Sequence, residues 1–273
     1  MRIGVAIPCF IKHIPQCLQL LDALEYQTRR PDEVVVSCSS TAEFPHKDYS
    51  YPIKILVTEK KQNTSTNRNC AARELQTDII CFFDADDEMH PQRLEVIERS
   101  FQSTNGVTGD IQSTNGVTGD IQSTNGVTGD IQSVRDQSVR DQSVRDQSVR
   151  DQSTSEVPTT DIILHSFFEE FERDRPYPLI DLSNYSMIRN QLSQAPSGCI
   201  TLDNVQRIHH GQVSVTKEIF QQVQFPEERE YEIREDCVFC YRVFSLPNIR
   251  SVYLPDPLSK YSPSWTCVTE YHN

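Results

Sequence analysis

The sequence predicts an α/β domain built on a mostly parallel sheet flanked by helices. Short apolar runs alternate with amphipathic helical segments, the pattern of successive βα units. The central run, Ile79-Ile80-Cys81-Phe82-Phe83, breaks directly into Asp84, Asp86 and Asp87. The end of a buried strand is where an α/β sheet carries its chemistry. Residues 103–152 are a different kind of sequence, tandem repeats with no convincing apolar face, and are expected to interrupt the domain as an insertion.

The elements follow in order. Arg2–Pro8 (RIGVAIP) reads as the first buried strand. Ile14, Cys17, Leu18, Leu21 and Leu24 recur at helical spacing, with Pro15 near the start. Val34-Val35-Val36 is a second strand and Ile53–Val57 a third. The polar run Gln62-Asn63-Thr64-Ser65-Thr66 caps a helix expected from about Asn67 to Leu75, with Arg68 in its first turn. The Asp84 strand follows. Pro91 is expected to open the next helix, where its missing N–H costs nothing, and Leu94, Ile97 and Phe101 give that helix one apolar face. Beyond the repeats, 161–168 is a strand and 173–183 a loop. Residues 208–215 form a strand whose glycine, Gly211, signals a close backbone approach. A short helix over 217–223, a helix carrying Phe239, Val243 and Leu246, and a last strand over 249–254 complete the domain. Pro-rich sequence and a tail with Trp265 follow.

The repeats are STNGVTGDIQ three times over 103–132 and SVRDQ four times over 133–152. Periods of ten and five are too short for a helical solenoid unit. The Asn-Gly and Thr-Gly pairs are turn signals and leave stacked hairpins open. A flexible insertion at a loop is the simpler expectation.

The 273-residue chain carries a net charge of −13, which argues against nucleic-acid binding through a broad basic surface. It leaves room for an anionic nucleotide handled locally by a cation and a few arginines. The nine cysteines are scattered, and an odd count suits a reducing compartment better than a disulfide framework. Cys237 and Cys240, a single CxxC, read as helix-face packing. Neither a signal peptide nor an apolar run of membrane-spanning length is evident, so a cytoplasmic location is expected.

Asp84, Asp86 and Asp87 sit together on a tight turn. Clustered carboxylates repel one another and raise at least one pKa unless a cation is present. A hard divalent ion suits such an oxygen-rich turn, usually together with substrate phosphates. A solvated acidic turn with helix-capping aspartates would present the same residues.

Four blocks in order resemble family 2 glycosyltransferases of the GT-A type: VAIPCF at 5–10, NRNCAARE at 67–74, FFDADD at 82–87 and REDCVFCYRV at 234–243. HHGQVSVTKEIF at 209–220 is similar to the family's acceptor-side block. The likeness spans nearly all of the chain outside the repeats. It implies a GT-A fold, with 1–102 as the nucleotide-sugar-binding half, 103–152 as the insertion and 153–273 as the acceptor-side half. It also implies a nucleotide-sugar donor, a glycan, protein or other hydroxyl acceptor, a divalent metal (Mn²⁺ or Mg²⁺), and inversion at the anomeric carbon by a hexosyltransferase-type enzyme. Carried over by position, Asp86 binds the metal on the donor diphosphate with Asp84 beside it. Asp84 faces the ribose, Asp87 supports the site, Arg68 lies near the nucleotide, and Pro8 and Phe10 form the lip of the base pocket. Asp236 matches the catalytic base, with Glu235 orienting it.

Two departures stand out. The family's base-reading aspartate after the second strand has no counterpart in Ser37-Cys38-Ser39-Ser40. The C-terminal histidine that serves many relatives as an extra metal ligand is absent from Tyr261-Ser262-Pro263-Ser264, and His272 lies in the tail. Other readings stay open on the residues alone. Arg68 paired with a surface acid, Asp236 as a helix cap, and His209 and His210 as a half-buried strand pair are each compatible with the pattern. A nucleotidyltransferase also joins acidic metal turns to nucleotides, but no Gly-rich, lysine-bearing phosphate loop appears near the N-terminus. A degenerate transferase acting as a binding protein is the non-enzymatic alternative.

If the repeats leave the sheet at a loop, replacing residues 103–152 by a short flexible linker should keep the fold. Loop-closure entropy changes by only about 0.6 kcal/mol per doubling of length. A melting temperature close to the parent's is the expected result; an insoluble deletion protein would show that the repeats are structural.

Overall fold

A computed structural model describes residues 1–102, 160–194, 199–202 and 207–262. The tandem repeats, Trp265 and His272, with the expectations placed on them, lie outside the described residues.

The first half alternates strand and helix as its apolar pattern requires. It runs β1 (Ile3–Phe10), α1 (Ile14–Glu25), β2 (Glu33–Ser39), β3 (Ile53–Thr58), α2 (Thr64–Glu74), β4 (Ile79–Phe82), a two-residue strand β5 (Glu88–Met89), and α3 (Arg93–Gln102). Then come β6 (Ile162–Phe168), the short strands β7 (Ile188–Arg189), β8 (Ser193–Gln194) and β9 (Ile200–Thr201), β10 (His209–Thr216), α4 (Lys217–Gln222), α5 (Glu235–Phe244) and β11 (Ser251–Lys260).

The main sheet runs β3-β2-β1-β4-β10-β6-β11-β5, with β7 on β11. Strands β1 to β4 are mutually parallel, as are β6 and β11. Between these blocks β10 runs antiparallel to both β4 and β6. The sheet is therefore mixed. Reversing β10 sets Gly211 among the residues that follow the C-terminal end of β4.

Both faces of the sheet are covered, so its strands read as unbroken apolar runs. On one face Cys17, Leu21 and Leu24 of α1 and Leu94, Ile97 and Phe101 of α3 pack with Val5, Ile7, Val34 and Val36. On the other, Ala71 and Ala72 of α2, Ile219 and Phe220 of α4, and Phe239 and Val243 of α5 pack with Ala6, Val35, Ile80 and Phe82. Phe82 lies against Phe220, Phe225 and Phe239, and the Phe225 and Phe239 rings stack at 4.1 Å. Cys240, the second cysteine of the CxxC pair, is buried in this layer.

Three expectations shift. Helix α2 begins at Thr64, not near Asn67, because the Asn63 side chain accepts from Thr66 N–H at 2.8 Å and caps it there. Arg68 is thereby moved into the second turn. Helix α3 begins at Arg93 and not at Pro91. Residues 88–89 first pair with β11, and a turn follows in which the Arg93 N–H donates to His90 O (3.0 Å) and the Gln92 N–H to His90 Nδ1 (2.9 Å). Strand β11 runs through Pro255 and Pro257 instead of ending at Leu254. The register against β6 shifts on either side of Pro257, and such an irregularity is how a strand accommodates a residue with no N–H.

Gly4 sits where β1 passes the segment between α2 and β4. A Cβ there would lie 2.5 Å from Thr77 Oγ1 and 2.7 Å from Leu75 Cδ2, and both side chains are buried. Gly4→Ala should cost about 1–3 kcal/mol by overpacking, read as a lower urea midpoint at an unchanged slope. An unchanged midpoint would show that this layer yields freely.

Candidate active site

The site forms where the ends of β1 and β4 meet residues from α2, β10 and α5. Arg68 is its centre. It reaches this point from α2, is only 3% exposed, and passes its guanidinium over the Phe225 ring at 5.0 Å. Its Nη2 donates to both carboxylate oxygens of Asp84, at 2.7 and 2.9 Å. Its Nη1 donates to Glu235 Oε1 at 2.9 Å. One buried cation therefore ties the acidic turn after β4 to the first turn of α5. Burial opposes the Arg68 charge, but Asp84, Glu235 and Asp236 outweigh it and hold the guanidinium above its ordinary pKa.

Gly211 closes the fourth side. A Cβ there would meet Arg68 Nη2 at 3.1 Å, Asp84 Oδ2 at 3.4 Å and Asp236 Oδ2 at 3.7 Å. These three groups share one small volume because β10 offers no side chain at that point. Asp236 accepts from the N–H of Cys237 at 2.7 Å. It does not cap α5; the N-cap is Arg234.

The three aspartates of the turn have different surroundings. Asp84 faces Arg68. Asp87 is almost fully buried: the Ser262 N–H donates to its Oδ1 at 2.6 Å, Gln212 Nε2 donates to its Oδ2, and His209 Nε2 lies 3.5 Å from that oxygen. It braces the turn from within. Asp86 is partly exposed and has His13 Nδ1 3.8 Å away. His13 lies edge-on to Phe10, so the residue at the end of β1 and the acidic turn are linked through one imidazole. Pro8 is buried and Phe10 half-buried.

Crowding shows in the titration of these acids. Burial, then the Asp86 and Asp236 charges, push Asp84 up against the pull of Arg68. Burial and the charges of Asp84 and Asp86 push Asp87 well up. Burial, with Asp236 opposing Arg68, raises Glu235 to about 7. Beneath the turn lies a buried basic layer. Arg93, lowered to about 10 by burial, donates to Phe82 O at 3.3 Å and Gln212 O at 2.9 Å. His165 is lowered to about 3 by burial and by Arg93.

Of the residues expected from the sequence, Arg68, Asp84, Glu235 and Asp236 come together directly. Asp86 and Asp87 share the turn with Asp84, Phe10 meets it through His13, and Pro8 is buried in β1 two residues before Phe10. Sequence reasoning anticipated a close approach at Gly211 but not its partners. It missed His13, Gln212 and Ser262, whose roles arise only where the turn, β10 and β11 meet.

Residues 5–171 match the model of glycosyl transferase family 2. The chain belongs to this family. A Haemophilus influenzae protein described as an uncharacterized glycosyltransferase is 32% identical over 87 residues, 30% of each chain. The crystal structure of S. aureus TarS 1-349 in complex with UDP aligns at a TM-score of 0.54 and 14% identity, covering 99% of this chain and 63% of that one. The complex of the same TarS fragment with UDP-GlcNAc aligns at 0.52 and 13%, covering 96% and 59%. At these identities the likeness is one of fold, of the GT-A type. The family 2 chain spans about a third of the Haemophilus protein's length and under two thirds of the TarS fragment's. Among its described residues, no helix is long and apolar enough to cross a membrane.

The raised Glu235 sets a pH dependence. Between its ordinary value near 4.5 and about 7, the folded chain holds a proton that the unfolded chain has released. Stability therefore falls as pH rises through that window. With donor absent and chelator present, Glu235→Gln, which mimics the protonated form, should remove roughly 1–3 kcal/mol of that fall. Chemical denaturation at several pH values gives the slope. Equal slopes in parent and variant would contradict the assignment.

Proposed function

We propose that the chain transfers a sugar from a nucleotide-sugar donor to a hydroxyl acceptor, with inversion at the anomeric carbon. The convergence of Arg68, Asp84, Glu235 and Asp236 around Gly211 carries this reading. Asp84 and Asp236 both approach the same ideal Cβ position at Gly211, at 3.4 and 3.7 Å, and on this reading the turn serves the donor and Asp236 the acceptor. Family membership and the fold support it. TarS, which shares that fold, binds UDP and UDP-GlcNAc, and a uridine nucleotide is the first donor to try.

The residues fit a divalent cation, Mn²⁺ or Mg²⁺. Among the described residues no three ligating side chains converge. A hard cation bound with substrate phosphates needs only one or two protein carboxylates. Asp86 has the open carboxylate. Asp84 is the secondary ligand, since both of its oxygens already accept from Arg68. When bound, the cation would neutralise the departing diphosphate. Pro8 and Phe10 flank the base and Arg68 lies beside the nucleotide.

In the transfer an acceptor hydroxyl oxygen bonds to the anomeric carbon as the bond from that carbon to the diphosphate oxygen breaks. The hydroxyl proton passes to Asp236, and the nucleoside diphosphate leaves. A sugar hydroxyl is a poor nucleophile at neutral pH, so a carboxylate in reach is required. Glu235 is held by Arg68 and orients its neighbour.

The test separates the two acids. Asp236→Asn keeps the shape but cannot take the proton, so transfer should fall by roughly 10² to 10⁴ while nucleotide affinity stays. Asp86→Ala should abolish both turnover and the gain in nucleotide affinity that Mn²⁺ confers. Near-wild-type transfer by Asp236→Asn would remove it from the mechanism. Equal nucleotide affinity with Mn²⁺ and with chelator would favour a metal-independent or non-catalytic binding protein.

A further inference from the structure

A cavity of about 450 Å³ lies between two segments remote in sequence. Lys60, Asn63 and Thr66 line one wall; Glu227, Arg229 and Glu232 line the other. Each wall leads into the site. Thr66 is two residues before Arg68 on α2, and Glu232 is three residues before Glu235 at the start of α5. The Arg68–Glu235 bond at 2.9 Å joins the two continuations.

Hydrogen bonds within the protein pin the walls together. Asn63 Nδ2 donates to Glu227 O at 3.2 Å, Thr66 Oγ1 to Glu227 Oε2 at 3.3 Å, and Asn69 Nδ2 to Glu227 Oε1 at 2.9 Å. Arg73 adds a contact to the same carboxylate at 3.2 Å. Glu227 is thus engaged within the protein. Lys60 and Arg229 are not. Among the described residues neither cationic head forms an ion pair or hydrogen bond, and the Glu232 carboxylate accepts none. Nearby arginines behave differently: Arg68 and Arg73 both face carboxylates. In a chain of net charge −13, two unpaired cations on opposite walls of one cavity make a local site for an oxyanion.

We propose that this cavity takes the acceptor, and that the acceptor is a polyhydroxylated chain bearing a carboxylate or phosphate group. The proposal rests on the transferase reading above. There the donor's own anionic group is placed at Asp86, which leaves Lys60 and Arg229 to the second substrate. The volume lies within the usual range of about 300–1,000 Å³ for small-molecule sites. The cations hold the oxyanion and the Glu232 carboxylate accepts from sugar hydroxyls.

Equilibrium binding to the purified full chain tests this with three probes. They are a galacturonate tetrasaccharide, its methyl ester, which removes only the charge, and a phosphorylated mannose oligosaccharide. At least one anionic probe should bind, and the acid form should bind at least tenfold tighter than the neutral ester if carboxylate is the source. If only the phosphorylated chain binds, phosphate is the source. The Lys60→Ala/Arg229→Ala double variant should lose at least tenfold in affinity for that probe and most of its salt dependence, and Lys60→Arg/Arg229→Lys should keep both. UDP affinity with Mn²⁺ should stay within twofold, and melting temperature unchanged. No binding of either anionic probe, or binding unaffected by the double alanine variant, overturns the proposal. A loss confined to UDP affinity also overturns it and moves the two cations to the donor site. Failure of UDP to bind the parent chain would instead count against the donor reading, whatever the glycan probes do.

Discussion

A single buried guanidinium holds the two halves of the site in register. Arg68 reaches across the end of the sheet, bonded twice to Asp84 and once to Glu235. Lysine could not replace it, because a point ammonium lacks the fork that grips one carboxylate with two bonds while reaching another. The pairs are buried, so removing Arg68 leaves Asp84 and Glu235 without their cation, a loss of about 3–5 kcal/mol. The acids cost stability of their own, shown by the upward shifts of Asp84, Asp87 and Glu235. A folded protein keeps such crowding where charge is used, and perturbed acids in a cleft mark a functional site.

The rest of the architecture serves that arrangement. Two apolar layers fix the sheet, and β10, entering antiparallel, sets Gly211 against Arg68, Asp84 and Asp236. A Cβ there would meet Arg68 Nη2 at 3.1 Å, so the guanidinium would have to give by a few tenths of an ångström. Below, Asp87 is gripped by Gln212 and by the backbone of Ser262, so the turn that presents Asp86 outward is anchored to β10 and to the end of β11. Beyond its own Asp87 N–H to Asp84 O hydrogen bond at 3.3 Å, the turn is held by these long-range contacts.

Much of this was legible in the sequence, and the limits have physical reasons. The apolar runs 3–7, 34–36 and 79–82 read as buried strands because both faces are covered. Leu94, Ile97 and Phe101 read as a helix face for the same reason. Asp84, Asp86 and Asp87 stood out because three carboxylates after a buried strand are costly without a purpose. The start of α2 was misplaced because several residues of the polar run 62–66 can cap a helix, and its buried face is disguised by the polar Asn67, Arg68 and Asn69. They are buried, and their partners, among them Ser37, Cys9 O, Asp84 and Phe225 O, lie far away in sequence. The reversal of β10 was invisible, since strand direction leaves no periodic trace. His13 was hidden too: one histidine after Phe10 acquires meaning only when the acidic turn folds against it.

The bridge through Arg68 is the claim on which the account stands, and a double-mutant cycle between Asp84→Asn and Glu235→Gln measures it most directly. Stability is read by urea unfolding of the donor-free protein, in the parent and in an Arg68→Met background. The account predicts a coupling energy of about 1 kcal/mol or more between the two sites, and its disappearance once the guanidinium is gone. Strict additivity in the parent background, or equal coupling in both, would show that Asp84 and Glu235 do not act on one another through Arg68.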